Sequence, residues 1–364
     1  MSGDTKDKGE GKSRVGDFVE KIFADLGGAT NTGMIWLGDH MGLYRAMHRA
    51  GPLSSAQLAE KLGLSERWIR EWLHGQAAAG YIDYLGQGQF LLCDAAAMVL
   101  ADEDSPAFCA GGVTHIPQLM GDVLQRLPAA FKSGIGLTYD ELGPEAARGV
   151  ERLLAPWFRH KLVPVALPAL DGVVAKLERG ARVADLGCGG GVALIEIAKA
   201  YPRSELHGYD ISHYALARAA ANKAAAGVTN VTFHDAAIEP MPGDASFDFI
   251  TTLDCIHDMA HPSDAIRAVR KALKPDGTWF IADVHCGASL EENLEAANPM
   301  LPMLYGFSVL CCLSSSLSTP GGEGLGTVGF GAEMARKMTQ EAGFYRFRSH
   351  DFDNPLNAYY EVRI

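Results

Sequence analysis

The chain is predicted to be an α/β protein: a doubly wound, seven-stranded sheet in the C-terminal half behind a smaller N-terminal α-helical domain. Three observations predict it. From Arg182 onward, short apolar runs alternate with apolar-periodic helical stretches, the rhythm of a largely parallel sheet. The run Val183-Ala184-Asp185 leads into Gly187, Gly189 and Gly191 and then into a helix. Such a hinge lets backbone approach a bound small molecule, because glycine has no Cβ to block it. Between Val15 and Leu100 the pattern is instead helical and then briefly extended.

The first dozen residues are polar and lysine-rich without an apolar core, so residues 1–14 are expected to be a disordered lead-in and not a signal peptide. Residues 15–104 read as the helical domain. Ser54 or Ser55 opens a helix that Gly63 closes, and Ser65 opens a second. Tyr81–Tyr84 and Gln89–Leu92 flank the turn Gly86-Gln87-Gly88, and two short strands after a helix–turn–helix make a winged helix. Trp68 and Trp72, four residues apart on the second helix, are expected to face a core. Residues 105–179 read as a helical connector interrupted by proline and glycine.

Residues 180–364 carry the sheet. Strands are expected at 182–185, 205–210, 231–234, 247–253, 279–284, 345–351 and 358–364, and helices at 191–201, 213–226, 262–273 and 331–341. The last two strands have no helix between them and should pair antiparallel. An insertion at about 286–328 separates the fifth strand from the last helix. Its apolar stretch, Met300 to Leu317, contains Pro302, Gly306 and a serine run, and is too short to span a bilayer. It reads as a buried or cleft-lining segment, and Pro320–Gly326 as a flexible, glycine-rich edge.

Composition narrows the function. With 364 residues, 48% hydrophobic and 21% charged, the chain is long enough for two soluble domains. A net charge of −12 gives no general pull toward nucleic acid or anionic membrane. Seven cysteines without a C-x-x-C pair suit a reduced, cytoplasmic protein.

The glycine hinge is not the dinucleotide fingerprint: starting from Gly187, the third glycine of G-x-G-x-x-G would fall on Val192. What stands is D-x-G-x-G-x-G, and a carboxylate there repels a pyrophosphate but suits a ligand carrying an ammonium group. That points to S-adenosylmethionine and away from NAD. Two more acids fall at strand ends, where open α/β sheets bind ligands: Asp210 and Asp235. A carboxylate only accepts hydrogen bonds, so Asp210 can take both ribose hydroxyls and Asp235 an adenine amino group. Asp185 can act near the methionine ammonium. The bland reading is that each aspartate merely caps the next helix.

On these residues the chain resembles class I S-adenosylmethionine-dependent methyltransferases, with their Rossmann-like sheet, from about Arg159 to Ile364. Thr251-Thr252-Leu253-Asp254-Cys255-Ile256-His257-Asp258-Met259 looks like the family's fourth-strand loop, and Leu273-Lys274-Pro275-Asp276-Gly277 like its L-x-P-x-G turn. The winged helix makes the chain similar to small-molecule methyltransferases that dimerise through that domain, so a homodimer is implied. It is especially similar to a bacterial and mycobacterial subfamily with a D-C-x-H-D-M core and a G-F-S-V-L-x-C-x-S-S segment, here Asp254–Met259 and Gly306–Ser315. The resemblance implies a donor site that also takes in Ile211, Ala236, Asp254 and Cys255.

The acceptor side is less defined. In plant-type O-methyltransferases an H-D pair at this position provides the general base, and His257-Asp258 matches it; a histidine near its ordinary pKa of about 6.5 can take a proton at neutral pH. Tyr139 is a second catalytic candidate. His115, Trp157, His160, Asp258, Tyr305, Phe307 and Ser308 are candidates for the acceptor pocket, and Arg159 or His160 can hold a carboxylate. No metal is expected: His257 and His261 are four apart, but Pro262 should begin the next helix, and Asp258 stands where H-E-x-x-H has glutamate.

An alcohol or phenol acceptor needs a base. A thioether does not, and some enzymes of this architecture look like S-methyltransferases of small methylthio hydroxy acids, giving a sulfonium such as a dimethylsulfoniopropionate precursor. The competing class is a winged-helix DNA-binding regulator or nucleic-acid methyltransferase. Against it, the second helix is near-balanced in charge, and no N-P-P-Y or D-P-P-Y run occurs.

Overall fold

The computed structural model describes residues 7–364, with side chains from Arg14 onward; residues 1–6 of the lead-in expected at 1–14 fall outside them, and from Asp7 it runs as helix. The chain divides into two compact units, one reaching to Ile116 and the other Pro117–Ile364.

The first unit begins with a long helix, α1 (Asp7–His40), followed by the short α2 (Leu43–Met47). Strand β1 (Leu53–Ser54) runs directly into α3 (Ser55–Leu62). Ser54 caps α3 reciprocally: its Oγ accepts from the Gln57 N–H (3.3 Å), while Gln57 Oε1 accepts from the Ser54 N–H (2.8 Å). Gly63 ends the helix at φ 66°, a left-handed conformation that costs glycine nothing. Ser65 precedes α4 (Glu66–Ala78), and the chain returns through the antiparallel wing β2 (Asp83–Gly86) and β3 (Gln89–Leu91) before α5 (Asp94–Leu100). β1 joins the wing as a third strand, in the order β1-β3-β2.

One expectation here is overturned. Trp72 is buried and donates its indole N–H to the Met34 carbonyl (2.9 Å), but Trp68 is 80% exposed. The buried stripe of α4 runs through Ile69, Trp72, Leu73 and Gln76. At about 100° per residue, Trp68 falls off its edge.

The second unit holds the sheet, in the order β6-β5-β4-β7-β8-β10-β9. The strands are β4 (Arg182–Leu186), β5 (Glu205–Asp210), β6 (Val231–Asp235), β7 (Phe247–Leu253), β8 (Leu273–Val284), β9 (Arg346–His350) and β10 (Asn357–Arg363). The first five pair in parallel, and β10 pairs antiparallel with both β8 and β9. Each face has its own core: Val183, Leu194, Leu206, Phe249 and Phe280 on one, Ile250, Ile266, Trp279, Ile281 and Tyr360 on the other. Large side chains fully buried in this way contribute about 1.5–3 kcal/mol each.

β8 starts earlier than the expected residue 279. The helix before it ends at Ala272, and Leu273–Gly277 already runs as strand. Pairing there is irregular, from Phe247↔Leu273 to Phe249↔Thr278, a bulge that absorbs Pro275 and Gly277.

Candidate active site

The donor half lies at the carboxyl ends of β4, β5 and β6. Asp185, 2% exposed, accepts a hydrogen bond from Thr251 Oγ1 on the adjacent strand (2.7 Å). Burial nevertheless pushes its carboxyl up to about 7, with Asp210 adding repulsion. Of the hinge glycines, Gly187 and Gly191 are required by the protein itself. A Cβ on Gly187 would stand 2.7 Å from Cys255 Sγ, and one on Gly191 would run into the Phe233 ring. Gly189 differs: it faces open space, at φ 53°, and is the point where a ligand can meet bare backbone.

Asp210 and Asp235 stand directly opposite each other in the β5–β6 register. Both tie down the loops that follow them. Asp210 accepts from the Gly189 N–H through Oδ2 and from the Ser212 N–H through Oδ1, each at 2.8 Å, and Asp235 accepts from the Ala237 N–H (3.0 Å). Asp210 is also raised above its ordinary range, by burial. Its carboxylate therefore holds the hinge shut against β5 and still presents lone pairs outward. Ile211 is 67% exposed and Ala236 partly so, both beside this opening.

The β7 loop carries the second half. Asp254 sits at φ 64°, accepts from Asn357 Nδ2 (2.8 Å), and is followed by a short turn, Ile256–Asp258. His257, buried, pairs through Nδ1 with Asp283 Oδ1 at the end of β8 (2.7 Å). Burial disfavours a charged imidazole, but Asp283 outweighs it and holds His257 well above the ordinary histidine value. The pair with Asp283 thus favours the protonated form of His257 relative to a free imidazole. Asp258 is driven up to about 7, first by burial. Asp254, His257 and Asp283 bring ligand atoms within 4.8 Å of one another. Within the trio, His257 Nδ1 and Asp283 Oδ1 bond each other, while Asp254 Oδ1 accepts from Asn357. His261 lies outside it, at the start of the helix Pro262–Ala272, with Thr319 Oγ1 3.3 Å from its Nε2.

The other candidates separate into two groups. Tyr139 belongs to the site: its hydroxyl is raised well above the ordinary phenol value by burial, with Cys311, Asp258 and Asp210 around it. Its neighbour Asp140 holds it there, accepting from Ser212 Oγ (2.5 Å) and from the His213 backbone (3.2 Å). Trp157 stacks on Tyr359 (4.9 Å between centroids) beside a small cavity of about 60 Å³ lined by Asp254 and Asn357. Ser308 is occupied structurally, accepting from the Thr327 N–H (3.1 Å). Phe307 and Tyr305 are partly buried in the helix before it, and Arg159 and His160 are exposed. His115 belongs to the first unit, where burial pushes it down to about 4. The glycine-rich edge is tied down, with the Glu323 N–H donating to the Ala260 carbonyl (2.9 Å) and its carboxylate accepting from Ser263.

Sequence reasoning missed Asp283 and Glu151. Asp283 offered a signal, an acid closing an apolar strand like the other three. Glu151 packs against Gly190 and pairs in bidentate fashion with Arg218 (2.6 and 2.7 Å), bracing the hinge from a distant helix.

A seven-stranded sheet of this order carries an acidic glycine hinge after its first strand and a buried His–Asp pair beyond its fourth and fifth. Residues 177–343 match the methyltransferase domain and residues 29–101 the Rv2258c-like winged HTH domain. The chain therefore carries a methyltransferase domain preceded by a winged helix-turn-helix domain. A ubiquinone biosynthesis O-methyltransferase from Ralstonia nicotianae is 34% identical over 133 residues, 35% of this chain and 53% of that protein. The chain thus spans about half the length of the curated relatives it matches. Among solved structures, an O-methyltransferase family protein from Burkholderia thailandensis aligns with TM-score 0.68 at 16% identity, covering 96% of this chain and 97% of that one. Human N-acetylserotonin methyltransferase, solved with SAM, aligns with TM-score 0.66 at 16% identity, covering 100% and 99%. At these identities the likeness is one of fold.

Proposed function

We propose that the protein transfers a methyl group from S-adenosylmethionine to a small-molecule acceptor, and that it works as a homodimer. The observation that carries this reading is the convergence of Asp185, Gly189, Asp210 and Asp235 on one rim of the sheet, with the His257–Asp283 pair beside it. Asp210 accepts the ribose hydroxyls, Asp235 the adenine amino group, and Gly189 offers its backbone. Asp185 and Asp258 face the donor's positive charges. Bound there, the donor supplies a methyl carbon already activated by sulfonium, so the protein's remaining work is alignment and proton handling. For an alcohol or phenol acceptor, Asp283 orients His257 and stabilises the imidazolium left after proton transfer. The donor's charge, arriving beside His257, lowers its pKa toward the working range.

A thioether acceptor is the second reading: the buried pair with Asp283 favours the protonated form of His257, and a thioether needs no base. Nucleic acid as substrate is disfavoured by the winged helix itself: on α4, Arg67 pairs with Glu71 and Arg70 with Glu66 (3.2 Å), leaving little charge for phosphates.

The deciding experiment screens small phenols, alcohols, thiols and thioethers for S-adenosylhomocysteine release by the full-length protein. Turnover on at least one class is expected. Absence of both donor binding and turnover would overturn the reading.

A further inference from the structure

Trp157 carries a polar group that neither donor binding nor the His257–Asp283 pair accounts for. It lines a cavity of about 60 Å³ together with Phe158, Leu253, Asp254, Leu356 and Asn357. Its ring is fixed, stacked on Tyr359 at 4.9 Å between centroids, and Asn354 Nδ2 donates to the Tyr359 hydroxyl (2.6 Å). Its indole N–H, however, is buried and has no hydrogen-bond partner among the described residues. A buried donor left unpaired is costly, so a group that completes it gains more than one hydrogen bond exchanged with water. Asp254 supplies the complementary half. It spends Oδ1 on Asn357 Nδ2 (2.8 Å) and keeps a second oxygen as acceptor. Its backbone sits at φ 64°, a left-handed conformation of the kind that clusters at ligand sites. The cavity also adjoins His257: one side-chain nitrogen or oxygen from each of Asp254, His257 and Asp283 lies within 4.8 Å of the other two.

We propose that this cavity is an acceptor subsite for a neutral hydroxyl, which accepts from Trp157 Nε1 and donates to Asp254. That the subsite serves the methyl acceptor rests on the methyl-transfer reading; the cavity and its unpaired donor do not. Charge and size select the group. A carboxylate would meet the carboxyl of Asp254 with Asp283 close by, and an ammonium has no lone pair to offer the indole N–H. A hydroxyl both accepts and donates. A single water needs only about 10–15 Å³, so the cavity has room for the hydroxyl and the carbon that bears it. Phe158, Leu253 and Leu356 give that carbon an apolar wall. The acceptor class that follows carries two groups: a reacting oxygen or sulfur beside His257, and a second hydroxyl that is held and not methylated.

The test compares matched acceptors on the full-length protein: catechol against phenol, 2-hydroxybenzyl alcohol against 2-methylphenol, and 2-(methylthio)ethanol against ethyl methyl sulfide. The wild type should favour the hydroxylated member of the productive pair by about fivefold or more in kcat/KM, because the deoxy partner leaves the indole N–H unpaired. Trp157→Phe keeps an aromatic ring for Tyr359 and removes the donor. It should shrink that preference to within about twofold by raising KM for the hydroxylated member alone, with S-adenosylhomocysteine affinity within about twofold. Benzothienylalanine at position 157, which has sulfur where tryptophan has N–H, makes the same change without loss of volume and should behave alike. Equal losses on both members of a pair in both variants would mark a packing role for Trp157 and overturn the proposal. So would a wild type that does not discriminate within any pair, or one that binds S-adenosylhomocysteine and turns over no hydroxylated member. If S-adenosylhomocysteine does not bind the wild type, the methyl-transfer reading fails first.

Discussion

Asp210 caps the loop after its strand, and the same carboxylate fastens Gly189, so in the proposed donor site it would fill both roles that the sequence presents as alternatives. Truncation to alanine would therefore release the hinge as well as a ribose contact, and Asp210→Asn separates the two, since the amide keeps one acceptor. Calorimetry should find S-adenosylhomocysteine affinity abolished in Asp210→Ala and reduced roughly tenfold or more in Asp210→Asn, with thermal unfolding little changed in the latter. Unchanged affinity in both would refute the ribose assignment. The same measurement has a pH dependence of fixed sign. Burial raises the Asp185 and Asp258 carboxyls to about 7 in the folded protein, against about 3.9 in an unfolded chain. Folding thus retains protons, and stability declines as pH rises from about 4 to 7. A cationic donor reverses this by favouring the carboxylates, so binding below pH 7 should release protons and affinity for S-adenosylmethionine should climb toward pH 7 and then level. Titrations in buffers of different ionisation enthalpy would detect the released proton. His257 has the same sign, because Asp283 favours its protonated form. If it is the base, kcat/KM should show an acid limb above the ordinary histidine value of about 6.5. Asp283→Asn should move that limb downward while lowering kcat by roughly 10²-fold or more. His257→Ala should cut turnover far more than donor affinity, whereas near-full activity in that variant would favour the thioether reading.

At the scale of elements, what was legible followed from strong local rules. The caps at Ser54 and Gly63, the glycine hinge and the seven strands all announce themselves through residue types with narrow conformational preferences, and each appears within a residue or two of its expected place except the start of β8, six residues early. The misses come from packing and from irregular backbone. Trp68 was expected inside because it lies four residues from Trp72, but the stripe was set by Ile69, Leu73 and Gln76, and spacing alone does not reveal on which side of a tryptophan a stripe continues. The Leu273–Gly277 segment carries proline and glycine, which read as a turn, while pairing with β7 drew it into the strand as a bulge. Three wide turns in the second unit, Leu119–Val123, Phe158–Ala166 and Ser308–Cys312, had no warning at all. Pro164, inside the second, lacks the N–H that a regular ladder needs and gives that one a local cause. The third has no such residue. Asp283 was hidden for a related reason: its partner is 26 residues away, and only the parallel pairing of β7 with β8 brings the two strand ends together.

At the scale of the whole molecule, the feature left unexplained by a single chain is the surface of α1. Val15, Phe18, Val19, Ile22, Phe23 and Leu26 recur at three- and four-residue intervals and are each at least half exposed. They cover one side of the helix, while Asp17, Glu20, Lys21 and Asp25 take the other, with Lys21 and Asp25 paired at 3.6 Å. Monomeric proteins rarely present a contiguous apolar stripe of this kind to water, and the a/d-like spacing suits packing against another helix. The occupant that the winged-helix family suggests is a second copy of the chain, consistent with a surface that is apolar in its stripe and charged around it. Light scattering coupled to size exclusion should therefore return twice the 38.9 kDa of one chain. Replacing Phe18 and Ile22 together by aspartate puts two charges into the centre of the stripe and should yield a folded monomer at micromolar concentration. Because the donor residues lie in the other unit, from Asp185 to Asp235, S-adenosylhomocysteine affinity should stay within about twofold of wild type in that monomer. A wild-type protein that is monomeric at the same concentration, or a double variant that remains dimeric, would show that α1 serves some other contact.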